Sequence, residues 1–420
     1  MPSARLAVLL AALLLPIAAA AQPVPFDFTP ATPGARLTAD TYVPTALACS
    51  INSACPEGEG ADAAVRATVQ VIDGGACSGV LLNNTRQDRT PYILTAYHCF
   101  PAAVGDTVQW DVRFGYQSPT CANPSEPPAY QTVTGGVVRA AQYGFADFVL
   151  VELTTPVPEE VYFAGWSIED AVPQRGLAVG HPRGDLQKLT LDDDPLKTSP
   201  FTAAYWLAHY DHGVMEPGSS GAPLFNEALQ MIGHVKGAYA LMGSCGGPDG
   251  DDNYPLIYHP KLSYVWTHGV APFLDPDGTG RTAMPALPPP PPVWISEINA
   301  GAHPADPGAG EFVELAGRPG AALDDLVLDV YDCRAGQAEL RASEALKPYT
   351  FRDEGDSVGR FVLGGTALDR TVRDQRLGRR PKREAGKDGY LPDHQGILVL
   401  RHRDGTPHFD YRYGAASATD

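Results

Sequence analysis

A chain of 420 residues with 44% apolar and only 19% charged residues has material for two or three packed domains, and its 43 Gly and 40 Pro make it rich in turns. A formal net charge of −18 argues against nucleic acid as the main partner of the whole chain. That charge is uneven, −14 before Trp294 and −4 from Trp294 onward.

The first 21 residues carry Arg5, then an apolar run from Leu6 to Leu15, then the small residues Ala19, Ala20 and Ala21. This is the pattern of a signal peptide cut near Ala21. The run is short for a spanning helix and no later stretch matches it, so no membrane span is expected. Residues 22–44 are polar and rich in Pro, Thr and Ala, and read as a short leader or pro-segment.

From residue 45 to about 275, short apolar runs alternate with turns. Examples are RATVQVI (66–72), SGVLLN (78–83), TPYILTA (90–96), DFVLVEL (147–153) and GLAVGH (176–181). The pattern predicts an all-β domain with no long amphipathic helix. Six of the seven cysteines, 49, 55, 77, 99, 121 and 245, fall in this region. In an exported chain an even set suits three bridges, though spacing alone does not fix their pairing. There is no CxxC, and no metal or organic cofactor site is expected.

Residues 276–293 read as a linker, with Pro288 to Pro292 favouring an extended spacer. Beyond it, WISEI (294–298), EFVEL (311–315), LDDLVLDVY (323–331), GRFVLGG (359–365) and GILVLRH (396–402) predict a second all-β region over 294–415. Between Arg370 and Lys387 lie eight basic and two acidic residues. That run reads as a solvated loop, as a patch for an anionic surface or nucleic acid, or as a target for a protease that cuts at basic residues.

Three stretches of the first region can do chemistry together. TAYHC (95–99) ends an apolar run with His98, ADFVLVEL (146–153) opens one with Asp147, and GSSGAP (218–223) holds two serines. A serine hydroxyl attacks an amide only when an imidazole takes its proton. A buried carboxylate holds that imidazole in the right tautomer and stabilises its charged form. Glycines around the serine let backbone N–H groups converge on the developing oxyanion.

These blocks resemble those of trypsin-like serine proteases, and more closely those of secreted bacterial lysyl endopeptidases. The resemblance extends to CSINSACPEG (49–58), SGVLLNNT (78–85), YILTAYHC (92–99), FAGW (163–166) and GVMEPGSSGAP (213–223), and covers about 45–270. It implies a chymotrypsin-like double β-barrel and hydrolysis of polypeptides after basic residues, preferably Lys, outside a bacterial cell or in its periplasm. It implies Ser220 as nucleophile, His98 as base and acid, Asp147 as orienter, and the N–H groups of Gly218 and Ser220 as oxyanion donors. It also implies the pairs Cys49–Cys245, Cys55–Cys121 and Cys77–Cys99. Cys333 is then left unpaired and reads as a small buried hydrophobe. Ser219 takes a loop role.

Val214, six residues before Ser220, cannot supply the carboxylate that a basic side chain needs. The resemblance moves that carboxylate to CGGPDGDDNYP (245–255), with Asp252 as candidate and Asp249 and Asp251 as alternatives. The strand GHVKGAYA (233–240) should lie beside the bound peptide, with Lys236 and Gly237 in contact with it. The family has histidine where this chain has Lys236, and a cation there disfavours basic residues nearby. Trp206 is the nearest tryptophan to the expected pocket. The C-terminal region resembles a lamin-tail domain, a small immunoglobulin-like β-sandwich, and implies binding or anchoring. A monomer is expected.

Overall fold

The structure, a computed structural model, describes residues 26–27, 44–238 and 256–299, and in the C-terminal part 312–318, 320–334, 337–352, 359–364, 375–376, 391 and 395–414. The expected signal peptide, almost all of the expected leader, Cys245, Asp249, Asp251, Asp252 and most of the basic run 370–387 lie outside the described residues. Contacts divide the chain into two units, with the boundary between Pro289 and Pro290.

In the first unit, the strands Thr68–Ile72, Ala76–Leu82, Tyr92–Ala96, Phe148–Leu153, Gln131–Gln142 and Thr107–Phe114 pair in that order, and the last returns to the first to close a barrel. Side chains alternate across each strand, so one sequence feeds two cores. Val69, Val71, Leu81, Ile93, Val112, Val149 and Val151 fill one cluster. Their neighbours Val80, Leu82, Leu94, Phe148 and Leu150 fill another. Both faces being apolar, these runs read as continuous rather than alternating; all seven residues of Ala76–Leu82 are buried. Each such aliphatic side chain contributes roughly 1.5–3 kcal/mol by burial.

The rest of this unit forms two sheets. A seven-stranded sheet runs Ala283–Met284, Gly165–Ser167, Gln230–His234, Pro223–Phe225, Gly176–Gly180, Lys188–Asp192 and Ile51–Asn52. A five-stranded sheet runs Phe26–Asp27, Gly237–Ala238, Ile257–Pro260, Tyr205–Ala208 and Lys197–Thr198. Phe26 and Asp27, in the segment expected to be a leader, thus pair, antiparallel, with Ala238 and Gly237. Cys55 is bonded to Cys121 and Cys77 to Cys99. Cys49 is disulfide-bonded too.

Two features lie beyond the sequence reading. Leu262–Leu274 is a run of short helical turns that buries Leu262, Val265, Val270 and Leu274 in the core holding Leu82 and Phe148. Residues within the expected linker are strapped to the first unit. Met284 pairs with Trp166, Leu287 and Phe163 exchange backbone hydrogen bonds, and Asn83 Nδ2 donates to the Pro285 carbonyl.

The second unit has two four-stranded sheets. One runs Val293–Asn299, Phe312–Gly317, Gly359–Gly364 and Gln375–Arg376; the other runs Gln337–Ala345, Leu326–Arg334, Gln395–His402 and Pro407–Gly414. Alternate residues of both, among them Ile295, Val313, Leu315 and Leu363 with Leu328, Val330, Leu398 and Leu400, share one core. Cys333 has a free thiol, as expected, but is half-buried rather than buried. It sits at the far end of Leu326–Arg334, beyond the alternating residues that reach the core.

Candidate active site

Register brings the first two candidate residues together. Tyr92–Ala96 and Phe148–Leu153 pair so that Ala96 lies opposite Phe148. The turn after Ala96 therefore presents His98 beside Asp147, the residue before Phe148. Their contacts are short. Asp147 Oδ1 accepts the His98 backbone N–H at 3.1 Å, and Oδ2 lies 2.7 Å from His98 Nδ1. An ionised carboxylate only accepts, so in the relay Nδ1 donates and Nε2 is left as the acceptor. Ser220 Oγ lies 2.8 Å from that Nε2. Asp147 and Ser220 are fully buried, and the His98 side chain is 9% exposed.

Asp147 has φ +43°, in the left-handed region that costs a non-glycine residue energy. Its surroundings hold it there. The backbone carbonyl of Asp147 accepts the Tyr97 N–H at 3.1 Å and the Nε2–H of buried His234 at 2.9 Å. The carboxylate is gripped by His98 on both oxygens, and Lys236 Nζ lies 3.4 Å from Oδ2. Burial pushes His234 down to about 4, so this histidine is neutral and donates from Nε2.

The serine loop is pinned to the barrel. Ser78 donates its N–H to the Ser220 carbonyl at 2.8 Å and its hydroxyl to the Gly218 carbonyl at 3.0 Å. Gly218 and Gly221 have φ +97° and +79°. A Cβ on Gly221 would also meet the Ser78 carbonyl oxygen at 2.3 Å, so only glycine fits this approach. Ser219 Oγ accepts the Glu216 N–H at 3.3 Å, which is a loop role. The Pro217 carbonyl accepts the Arg183 N–H, and a trans peptide turns the Gly218 N–H the opposite way.

Two buried carboxylates hold residues 45–47, and of these Glu216 belongs to this loop. Asp185 takes the N–H groups of Thr45 at 2.9 Å and Ala46 at 2.8 Å. Glu216 takes that of Leu47 at 2.9 Å and also holds Arg183 Nε.

Of the specificity candidates, Val214 is buried and apolar, and Gly237 lies in the strand paired with Ile257–Pro260. The Lys236 side chain is 8% exposed and directed at Asp147, not out over the groove where the sequence reading put its charge. Trp206 is buried in a core with Met215, Ile232 and Val235, and Lys261 Nζ lies 3.7 Å from its ring centre. His234 was absent from the sequence candidates, and Lys236 was read only as a groove residue. Their spacing of two is the one signal the sequence offers, since alternate residues of an extended segment share a face.

The family described as "Lysyl endopeptidase, C-terminal domain" matches residues 43–255. A lysyl endopeptidase of Pseudomonas aeruginosa is 26% identical over 221 residues, which are 49% of this chain and 48% of that protein. The chain thus spans about half the length of the curated relative it matches. Among solved structures, catalytically inactive tobacco etch virus protease complexed with substrate aligns at a TM-score of 0.30 and 12% identity, over 47% of this chain and 78% of that one. A mutant of the same viral protease aligns at 0.31 and 11%, over 52% and 82%. Both scores are too low to bear on function. The family match covers more than half of the chain and spans the segments that carry His98, Asp147 and Ser220; the chain belongs to the lysyl endopeptidase family.

Proposed function

We propose that the chain is an exported serine endopeptidase that cuts after basic residues, preferably Lys. The observation that carries this reading is the unbroken relay Ser220 Oγ, His98 Nε2, His98 Nδ1, Asp147 Oδ2, with both links at 2.7–2.8 Å. In the mechanism, Ser220 Oγ attacks the scissile carbonyl as its proton passes to His98 Nε2. Asp147 balances the imidazolium, and the Gly218 and Ser220 N–H groups receive the oxyanion. His98 then protonates the leaving amine, and water releases the acyl group by the reverse path. Asp252 supplies the carboxylate for the basic side chain, because Val214 leaves the usual position apolar. Gly237 pairs with the backbone of the bound peptide. The C-terminal unit serves as a lamin-tail-like, immunoglobulin-like sandwich that binds or anchors.

The test is digestion of a denatured protein by wild type and by Ser220→Ala, with cut sites mapped by mass spectrometry. The reading expects cleavage after Lys that vanishes in the variant. Cuts after Arg alone or after apolar residues would remove the lysine assignment, and cleavage independent of Ser220 would remove the nucleophile. Asp252→Ala should abolish the basic preference while leaving reaction with a small serine-directed fluorophosphonate intact.

A further inference from the structure

Lys236 is a cation placed against the acidic member of the relay. Its Nζ lies 3.4 Å from Asp147 Oδ2, the oxygen that also faces His98 Nδ1. Both side chains are withdrawn from water, at 8% and 0% exposure. The ammonium is seated over the Tyr143 ring, 5.6 Å from its centre, so carboxylate and ring hold it from two sides. Its backbone N–H donates to the Tyr258 carbonyl at 3.2 Å, which fixes the segment between Gln230–His234 and Gly237–Ala238 from which it reaches.

We propose that Lys236 is a positioning residue that acts through Asp147 and keeps His98 available as a base in more acidic solution than the Asp–His pair alone would allow. The inference rests on the reading of Ser220, His98 and Asp147 as the catalytic set. Charge counting gives the reason. With Asp147 ionised, Lys236 charged and His98 neutral, the described cluster has no net charge. A proton on His98 makes it +1. Without Lys236 the same proton takes the cluster from −1 to 0. Lys236 therefore opposes uptake of a proton from solvent by His98, and the low local dielectric strengthens that opposition. It also leaves His98 a weaker base toward Ser220, so it exchanges rate at alkaline pH for range at acid pH.

Among the described residues, the other groups facing this cluster do not cancel the effect. From the turn before Phe148 come Tyr143 and Asp147; from the turn after Ala96 come Tyr97 and His98; from the end of the strand Gln230–His234, two residues before Lys236, comes His234. His234 is buried, pushed down to about 4, and already engaged with the Asp147 carbonyl, so it stays neutral over the range in question. From the strand Ile257–Pro260, Tyr258 meets Lys236 through its carbonyl.

The experiment compares full-length wild type, Lys236→Met, Lys236→Gln and Lys236→Arg on one Lys-containing peptide amide from pH 5 to 10. It resolves kcat and KM, and active sites are counted by fluorophosphonate labelling. The expected result is an acid limb of kcat/KM that moves up by roughly one pH unit in Met and Gln, a tenfold change in one protonation equilibrium. The limb stays in place in Arg, and KM changes less than about twofold throughout. A limb that stays put in both uncharged variants overturns the proposal, as does a loss confined to KM or an Arg variant that shifts as far as Met. If Met fails to fold, shown by absent labelling at every pH, Gln decides the question. A wild type that does not need Ser220 would instead overturn the catalytic set itself, so the two failures are distinct.

Discussion

At the scale of single residues, the conformation of Asp147 separates its chemical role from its structural one. At φ +43° an Asn fits the same backbone far better than an Ala, because Asn tolerates the left-handed region. Asp147→Asn should therefore cost less stability than Asp147→Ala, while kcat falls by about four orders of magnitude, since an amide no longer enforces the tautomer of His98. Asp147→Ala should lose both activity and stability. Paired melts and progress curves check this, and an Asp147→Asn enzyme with near-normal kcat would remove the orienting role. Motif blocks on apolar strands make His98, Asp147 and Ser220 legible in the sequence. The reach of Lys236 and His234 to Asp147 was not legible, because it spans nearly ninety positions and depends on sheet geometry.

Buried histidines give a second prediction at this scale. Burial pushes His181 and His234 down to about 4 and His259 to about 3. In the unfolded chain each titrates near its ordinary 6.5, so between 6.5 and 4 the unfolded state binds more protons. Stability is then complete above pH 6.5 and is lost as pH falls toward 4, by roughly 3 kcal/mol for each histidine of this kind. Denaturant titrations of the inactive Ser220→Ala variant across pH 4–8 should show this slope. A flat profile would mean that these imidazoles are not buried neutral.

At the scale of elements, the Cys77–Cys99 bond ties two parts of the chemistry together. Cys77 precedes Ser78, which pins the Ser220 loop, and Cys99 follows His98. Across a separation of 22 residues such a bond is worth about 3 kcal/mol in the chain-entropy account. Replacing both cysteines by Ala should cost about that in a denaturant melt and lower kcat more than it raises KM, because the His98 turn loses its tether to the Ser220 support. An unchanged kcat would show that hydrogen bonds alone hold the relay. The strands themselves were readable from runs of Val, Ile and Leu. The helical run Leu262–Leu274 was not, because Gly269 at φ +131° and Pro272 break the helical period that sequence reading depends on.

At the scale of the whole molecule, contacts divide the chain between Pro289 and Pro290, within the proline run. That run could not reveal that residues just before it belong to the first unit. The contacts of Leu287 and Met284 are pairings with a strand more than a hundred residues away. The smaller net charge of the second unit, by contrast, could be counted directly from the sequence.

The pairing of Phe26 and Asp27 with Ala238 and Gly237 has a kinetic consequence. In the proposed function that edge receives the substrate backbone. A strand supplied by the same chain never diffuses away, and covalent attachment keeps its local concentration high. Substrate would then compete against a fixed internal occupant. Removal of residues 22–43 should lower KM for peptide amides several-fold and leave kcat nearly unchanged, and the gain should be reversed by adding a free peptide of the leader sequence. A KM that does not respond to trimming would mean that the leader leaves the edge as freely as solvent does. If trimming does lower KM, the age of a preparation, through the wear of its leader, would set its measured affinity.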